Sequence, residues 1–173
     1  VFSEQGAGDV IQMLRYMDAL SGTEMRVILS VPASLYRLVS RNRGACQVAM
    51  STETVPPHDY HTPFMSLPKM FGMASAADIP LPTQYLIANT PHQAAMLQGY
   101  TVGLVWAGNP KHPADARRSI PFEEFYPITL TPDVHCVSLQ IGERANDWQG
   151  RSFTMRDFAD TAEVIAALDC VVA

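Results

Sequence analysis

Short apolar runs rich in β-branched residues alternate with amphipathic segments in this chain, and this alternation constrains the fold more than any other feature. Residues 25–32 read MRVILSVP and residues 101–108 read TVGLVWAG, as is typical of strands buried in a parallel sheet. After the first run, Leu35, Leu38 and Val39 have the spacing of one apolar helix face. Strands and helices in alternation predict an α/β fold with right-handed crossovers.

The rest of the chain continues the same alternation. A helix is predicted after the first loop, at 10–17, and Gly44 is predicted to close the helix that contains Leu35. The other predicted elements are strands at 46–51, 135–142 and 169–173, a single helical turn within 66–73, a helix at 121–129 with Pro121 in its first position, and a helix at 157–168 capped by Asp157 or Asp160.

A proline-rich region at 55–91 separates two series of strands and helices. Seven prolines interrupt it, which excludes long regular elements. We therefore predict a Rossmann-like domain at 1–97, which includes this region, and a partial second Rossmann-like domain at 98–173. The region is either a plain surface connection or, because it is also rich in Phe and Met, the lining of a groove.

Composition excludes several classes of protein. The 173 residues are 47% hydrophobic, which indicates a folded globular chain. A net charge of -5, with twelve Lys and Arg scattered along the sequence, argues against a nucleic-acid partner. No apolar run approaches the ~20 residues of a membrane helix, and no signal peptide is visible. These features predict a cytoplasmic protein.

The cysteines and histidines give no sign of a metal site. Cys46, Cys136 and Cys170 are far apart and odd in number, so we expect buried thiols on strands in a reducing compartment. His58 and His61 are close together in the loop PPHDYHTP, but no second pair of ligands has matching spacing. We predict no metal and no cofactor.

Asp9 follows Gly6 and Gly8 at the start of the first amphipathic run. The two glycines can adopt backbone angles closed to other residues and allow a ligand to approach the main chain. Asp9 has two interpretations. As an N-cap, its carboxylate would accept a backbone N–H and complement the helix dipole. As a general base, it would stand where catalytic groups of α/β proteins usually lie.

The loop after TVGLVWAG gathers hydrogen-bond donors where a strand ends. It reads NPKHPADARRSIP, and ligands of parallel α/β sheets bind at the carboxyl edge. Arginines there can hold a diphosphate through paired hydrogen bonds, and the loop leads toward a helix N-terminus that favours anions. A solvated charged loop is the other interpretation. The candidate donors are Asn109, Lys111, Arg117, Arg118 and Ser119.

Standard nucleotide motifs are missing. A GxGxxG fingerprint would need glycine at position 11, which is Ile11, and neither a P-loop nor a GxSxG elbow occurs.

Five segments together resemble a known family. The segments EQGAGDVIQMLRYMDAL, DYHTPFMSLPKMFG, VGLVWAGNPKHPADARRSIPFEEF, VSLQIG and DFADTAEVIAALDCVVA resemble, in this order, the glycosyltransferase region of bacterial tetratricopeptide-repeat proteins. That family is similar to the lipopolysaccharide heptosyltransferases. The resemblance implies a GT-B architecture, in which two facing Rossmann-like domains bind the acceptor and a nucleotide-sugar donor.

The resemblance also implies roles for individual residues. The GAGD match places Asp9 at the catalytic base, with Gly6 and Gly8 beside it, and it changes the balance between the two interpretations of Asp9 in favour of function. The NPKHPADARRS match places Arg117, Arg118 and Asn109 near the donor diphosphate. His61 matches a histidine before SLP that lines the cleft. Arginines and a helix N-terminus would supply the charge, so no metal is required.

Two departures from the family pattern qualify the expectation. The family usually has Lys after SLQ, where this chain has Ile141. The family also continues into an Asp-Thr segment and a histidine that contact the nucleotide, whereas the sequence stops at Ala173. The second domain is therefore expected to be truncated. The alternative function is a transferase-derived binding or self-association module that pairs with another copy through an exposed sheet edge.

Overall fold

The computed structural model describes residues 1–42, 46–80, 84–89 and 97–173, apart from the side chain of Ser21. It divides into two compact units. The first comprises Val1–Ile87 with Asp157–Ala159, and the second comprises Ala88–Arg156 with Asp160–Ala173. Both contain parallel β-sheet and helices, so the predicted α/β class with parallel sheets is confirmed.

The first unit opens with helical turns. The predicted helix at 10–17 is instead α1 (Ala7–Met13), a 3₁₀ turn at Leu14–Tyr16 and α2 (Met17–Ser21). The next helix, α3 (Ala33–Asn42), buries the predicted apolar face. Its predicted closure at Gly44 lies outside the described residues.

A two-stranded parallel sheet supports these helices. Strand β1 (Ile28–Val31) pairs with β2 (Gln47–Met50). The opening residues form isolated bridges from Phe2 to Ser30 and to Pro63, both parallel. The proline-rich region has the predicted short elements: a 3₁₀ turn at Phe64–Ser66, α4 (Leu67–Met70) and a 3₁₀ turn at Ala76–Asp78.

The second unit is built on four parallel strands. These are β3 (Tyr100–Leu104), β4 (Val134–Ser138), β5 (Arg151–Ser152) and β6 (Cys170–Val172), in the spatial order β5-β4-β3-β6. The connecting elements are α5 (Asp115–Arg118), a 3₁₀ turn at Phe122–Phe125, α6 (Tyr126–Thr129), a 3₁₀ turn at Glu143–Asp147 and α7 (Phe158–Ile165).

Several predicted boundaries in this unit are wrong for identifiable reasons. The strand predicted at 101–108 ends at Leu104 because the next residues turn into the loop, where Trp106 joins an apolar cluster with Phe125. The helix predicted at 121–129 is divided into a 3₁₀ turn and α6, since Pro127 has no N–H with which to continue an earlier turn. Of the two predicted caps of α7, Asp157 is correct: its carboxylate accepts the Ala159 N–H at 2.9 Å.

The expectation of three buried thiols is wrong. Cys170 is exposed, because β6 pairs with β3 on one side and with no strand of the described chain on the other. Cys46 and Cys136 are half-buried, and burial raises the pKa of the Cys136 thiol. None of the three forms a disulfide within the described chain.

Candidate functional site

The candidate donor loop lies where the sequence places it, at the carboxyl edge of the four-stranded sheet. All four strands are parallel, so the segments that follow Leu104 and Ser138 emerge at the same edge. The first of these segments contains every candidate donor residue named above. Ligands of parallel sheets bind at such an edge.

Gln140 joins the two segments through its side-chain amide. Its Oε1 accepts the backbone N–H groups of Trp106 at 3.2 Å and Ala107 at 3.0 Å. Its Nε2 donates to the carbonyl oxygens of Ala107 at 3.0 Å and Ile141 at 3.2 Å. Gln140 is 7% exposed, so these four bonds satisfy a buried amide and fix the start of the loop.

Four side chains form what we call the Asp115 cluster: Asp115, Arg118, Ser119 and Arg144. The hydroxyl of Ser119 donates to Oδ1 of Asp115 at 2.7 Å, and Nη2 of Arg144 donates to Oδ2 at 3.0 Å. Nε of Arg118 forms a longer ion pair with Oδ1 at 3.8 Å. Asp115 is 7% exposed, and a buried carboxylate requires such partners.

Gly108 connects this cluster to the backbone of the loop. Its N–H donates to Oγ of Ser119 at 3.0 Å. A Cβ at position 108 would lie 2.6 Å from Nη2 of Arg118, so the guanidinium rests directly against the main chain. Glycine is required here for close approach rather than for an unusual backbone angle.

The remaining candidate donors point to solvent. Asn109 shapes the loop, because its Oδ1 accepts the Lys111 N–H at 3.0 Å and its carbonyl accepts the His112 N–H at 2.9 Å. The side chains of Lys111 and Arg117 are exposed and have no hydrogen-bond or ion-pair partner within the described parts of the chain. Both are therefore free to meet an anion.

Sequence reasoning missed three residues of this edge: Asp115, Gln140 and Arg144. The signal for Asp115 was present, since an acid in an otherwise basic loop is typical of a carboxylate that organises arginines. No local signal marks Arg144, which reaches Asp115 from 29 positions away. Ile141 is 64% exposed at the same edge.

In the first unit, Asp9 lies in the first turn of α1. Its Oδ2 accepts the Gly6 N–H at 3.0 Å, so the carboxylate binds a backbone donor, but Asp9 is not the N-cap residue that the capping interpretation predicts. The N-cap itself is Gly6, with Asp9 three residues further on. Gly6 has φ -66°, an ordinary value, and a Cβ at Gly8 would meet nothing within 4 Å. The expected special backbone angles are absent at both glycines, but the space above Gly8 is open.

His61 lines a different part of the first unit. It borders an apolar cavity of about 330 Å³ together with Phe2, Ile28 and Met70, and its ring packs against His58. His61 precedes the bridge residue Pro63, whereas Asp9 follows the bridge residue Phe2. The ring of His61 contacts Phe2 and His58, and the Asp9 carboxylate binds the Gly6 N–H, so no contact within the described chain joins the two side chains.

Within the residues that the structure describes, no group of three or more His, Cys, Asp or Glu side chains is arranged to hold a metal ion. None of the described helices is long and apolar enough to cross a membrane. The chemistry that this arrangement can perform is anion recognition by the guanidinium and ammonium groups at the sheet edge.

Comparisons with known proteins give no relative for this chain. No family model matches it, and searches of the curated proteins and of the solved structures returned no significant match.

Proposed function

We propose that this chain is a glycosyltransferase-like protein of GT-B type, which binds a nucleoside-diphosphate sugar on its second unit. The observation that carries the proposal is the Asp115 cluster at the carboxyl edge of a parallel sheet. Two arginines and a glycine N–H are organised there around one buried carboxylate. The resemblance of the quoted segments to the transferase family supports the same assignment.

The proposed reaction transfers the sugar to an acceptor hydroxyl. The acceptor oxygen bonds to the anomeric carbon while the bond from that carbon to the diphosphate oxygen breaks. The electron pair leaves on the diphosphate, where Arg118, Arg117 and Lys111 stabilise the added negative charge. The hydroxyl proton goes to the carboxylate of Asp9, the general base in this proposal. This assignment requires no metal ion.

Titration with nucleoside diphosphates tests the proposal. UDP, GDP, ADP and dTDP are added to 15N-labelled protein, and the backbone signals of Gly108 and Ser119 are followed. We expect saturable chemical-shift changes at Gly108 and Ser119 for at least one nucleotide, with a dissociation constant below about 1 mM. Arg118→Gln should weaken this binding about tenfold, the loss typical of a charge-assisted hydrogen bond. Arg26→Gln, in the first unit, is the matched control.

The absence of any shift at Gly108 and Ser119 with all four nucleotides would overturn the donor-site proposal. Equal dissociation constants for the parent protein and Arg118→Gln would show that Arg118 does not contribute to binding, and would overturn its assignment.

A second candidate function is self-association, and it is favoured by β6. Val171 is 40% exposed and Cys170 is also exposed, and β6 has no second strand partner in the described chain. An exposed strand edge is a template for pairing with another copy. Light scattering over a concentration series tests it: dimers that Val171→Lys abolishes support the idea, and a monomer at every concentration refutes it.

A further inference from the structure

The Asp115 cluster carries more positive charge than its carboxylate can neutralise. Arg118 and Arg144 contribute two positive charges and Asp115 one negative charge. In the described part of the chain, neither guanidinium forms an ion pair with a second carboxylate. One positive charge therefore remains uncompensated at the sheet edge, as a site for an anion requires.

Both guanidiniums remain partly open to water. The side chains of Arg118 and Arg144 are 45% and 40% exposed, whereas that of Asp115 is 9% exposed. A guanidinium has five N–H donors, and the contacts to Asp115 use only a few of them. The remaining donors are available to a ligand, and the buried carboxylate has already restricted both side chains, which lowers the entropy cost of binding.

The positions of the two arginines favour an anion with two phosphoryl groups. Arg118 pairs with Oδ1 and Arg144 with Oδ2, so the guanidiniums flank the carboxylate from different sides. A single phosphate is compact, while linked phosphoryl groups present oxygens to both arginines.

We propose that Arg144 is a second diphosphate-binding residue, paired with Arg118 through Asp115. This inference rests on the proposed donor site and adds a residue from the segment after β4. The opposing interpretation is purely structural, in that Arg144 only neutralises Asp115. The two interpretations differ in whether a bound diphosphate contacts Arg144.

Arginine labelling of the unsubstituted protein separates them. Phenylglyoxal modifies exposed arginines, and peptide mass spectrometry reads each position with and without inorganic pyrophosphate. We expect pyrophosphate to slow modification of Arg118 and Arg144 together, and to leave Arg151 on β5 unaffected. Protection of Arg118 without protection of Arg144 would overturn the inference and leave the donor site standing.

Calorimetric titration with pyrophosphate gives the second readout. Arg144→Gln should weaken pyrophosphate binding about tenfold, as expected for loss of a charge-assisted contact. Arg144→Lys should recover only part of the lost affinity, because lysine lacks the planar, forked donor group of arginine. Arg151→Gln is the charge-matched control. If Arg144→Gln lowers the thermal midpoint yet binds pyrophosphate like the parent protein, the role is structural and the inference fails. If the unsubstituted protein binds no pyrophosphate, the inference fails, and the nucleotide titration then decides the donor site separately.

Discussion

Nη2 of Arg144 lies 3.0 Å from Oδ2 of Asp115, although the two residues are 29 positions apart. The contact joins the loop after β3 to the 3₁₀ turn after β4. Because Ser119 donates to the other carboxylate oxygen, one buried acid determines the positions of three side chains.

Replacing Asp115 with alanine should therefore destabilise the second unit. The change leaves the Ser119 hydroxyl and two guanidiniums without their acceptor, and we expect a loss of about 1–3 kcal/mol in the free energy of unfolding. Urea denaturation measures it. Glu124→Ala, an exposed acid of the same unit, should change stability little; equal effects of the two variants would contradict a structural role for Asp115.

Gly108→Ala should affect anion binding more than stability. The new Cβ would lie 2.6 Å from Nη2 of Arg118, but that guanidinium is the end of a flexible side chain and can move away. We expect severalfold weaker pyrophosphate binding with nearly the same thermal midpoint. In Gly22→Ala, the new Cβ has an ordinary 3.8 Å contact, so this variant is the control. Unchanged binding by Gly108→Ala would mean that the observed position of Arg118 is unimportant for the anion.

Removal of the Gln140 amide should increase the mobility of the start of the candidate donor loop. Gln140→Leu loses all four bonds to the backbone, and we expect hydrogen exchange at the Trp106 and Ala107 amides to accelerate. NMR exchange rates measure this directly. The matched change Gln149→Leu removes an exposed amide that bonds to Asn146, and exchange at Trp106 should not respond to it. Slow exchange at the Trp106 and Ala107 amides in both variants would contradict the proposed role of Gln140 in holding the loop.

The sequence predicted some of these features and missed others. The periodic apolar runs predicted the parallel strands and α3, since the spacing of apolar residues along the sequence is enough to show which face of an element is buried. The position of the loop that contains Asn109 at the carboxyl edge of the sheet was also predicted, because the loop follows a buried strand. The contact of Arg144 with Asp115 was not predicted, since a hydrogen bond across 29 positions leaves no trace in local spacing. Short elements such as α5 and β5 were missed because they contain too few residues to show a periodic pattern of apolar side chains.

Asp9→Asn should separate capping from catalysis. The amide oxygen of asparagine still accepts the Gly6 N–H, so the free energy of unfolding should change by less than about 0.5 kcal/mol. If Asp9 is the general base, transfer from a nucleotide-sugar donor should fall about 10²–10⁴-fold. A coupled assay for released nucleoside diphosphate measures it, with Asp18→Asn as control. Full turnover by Asp9→Asn would remove the base assignment.

The turn at Ala76–Asp78 should depend on pH through Asp78. Hydrogen bonds from the Ser75 N–H, then the Ala74 N–H and the Ser75 hydroxyl, hold the pKa of Asp78 below its ordinary value of 3.8. The ionised form thus favours the folded turn. This stabilisation is complete above pH 3.8, and it is lost as the pH falls through the lower pKa of Asp78 in the folded protein. The Ser75 amide shift should report this titration, and Asp78→Asn should abolish it.

The bonds made by Gln140 have an evolutionary consequence. All four go to main-chain groups: every amino acid supplies the carbonyl oxygen, and every one except proline supplies the N–H. Side chains between Asn109 and Ala114 can therefore be exchanged without weakening this anchor, so ligand preference can diverge while the scaffold that presents the loop is retained.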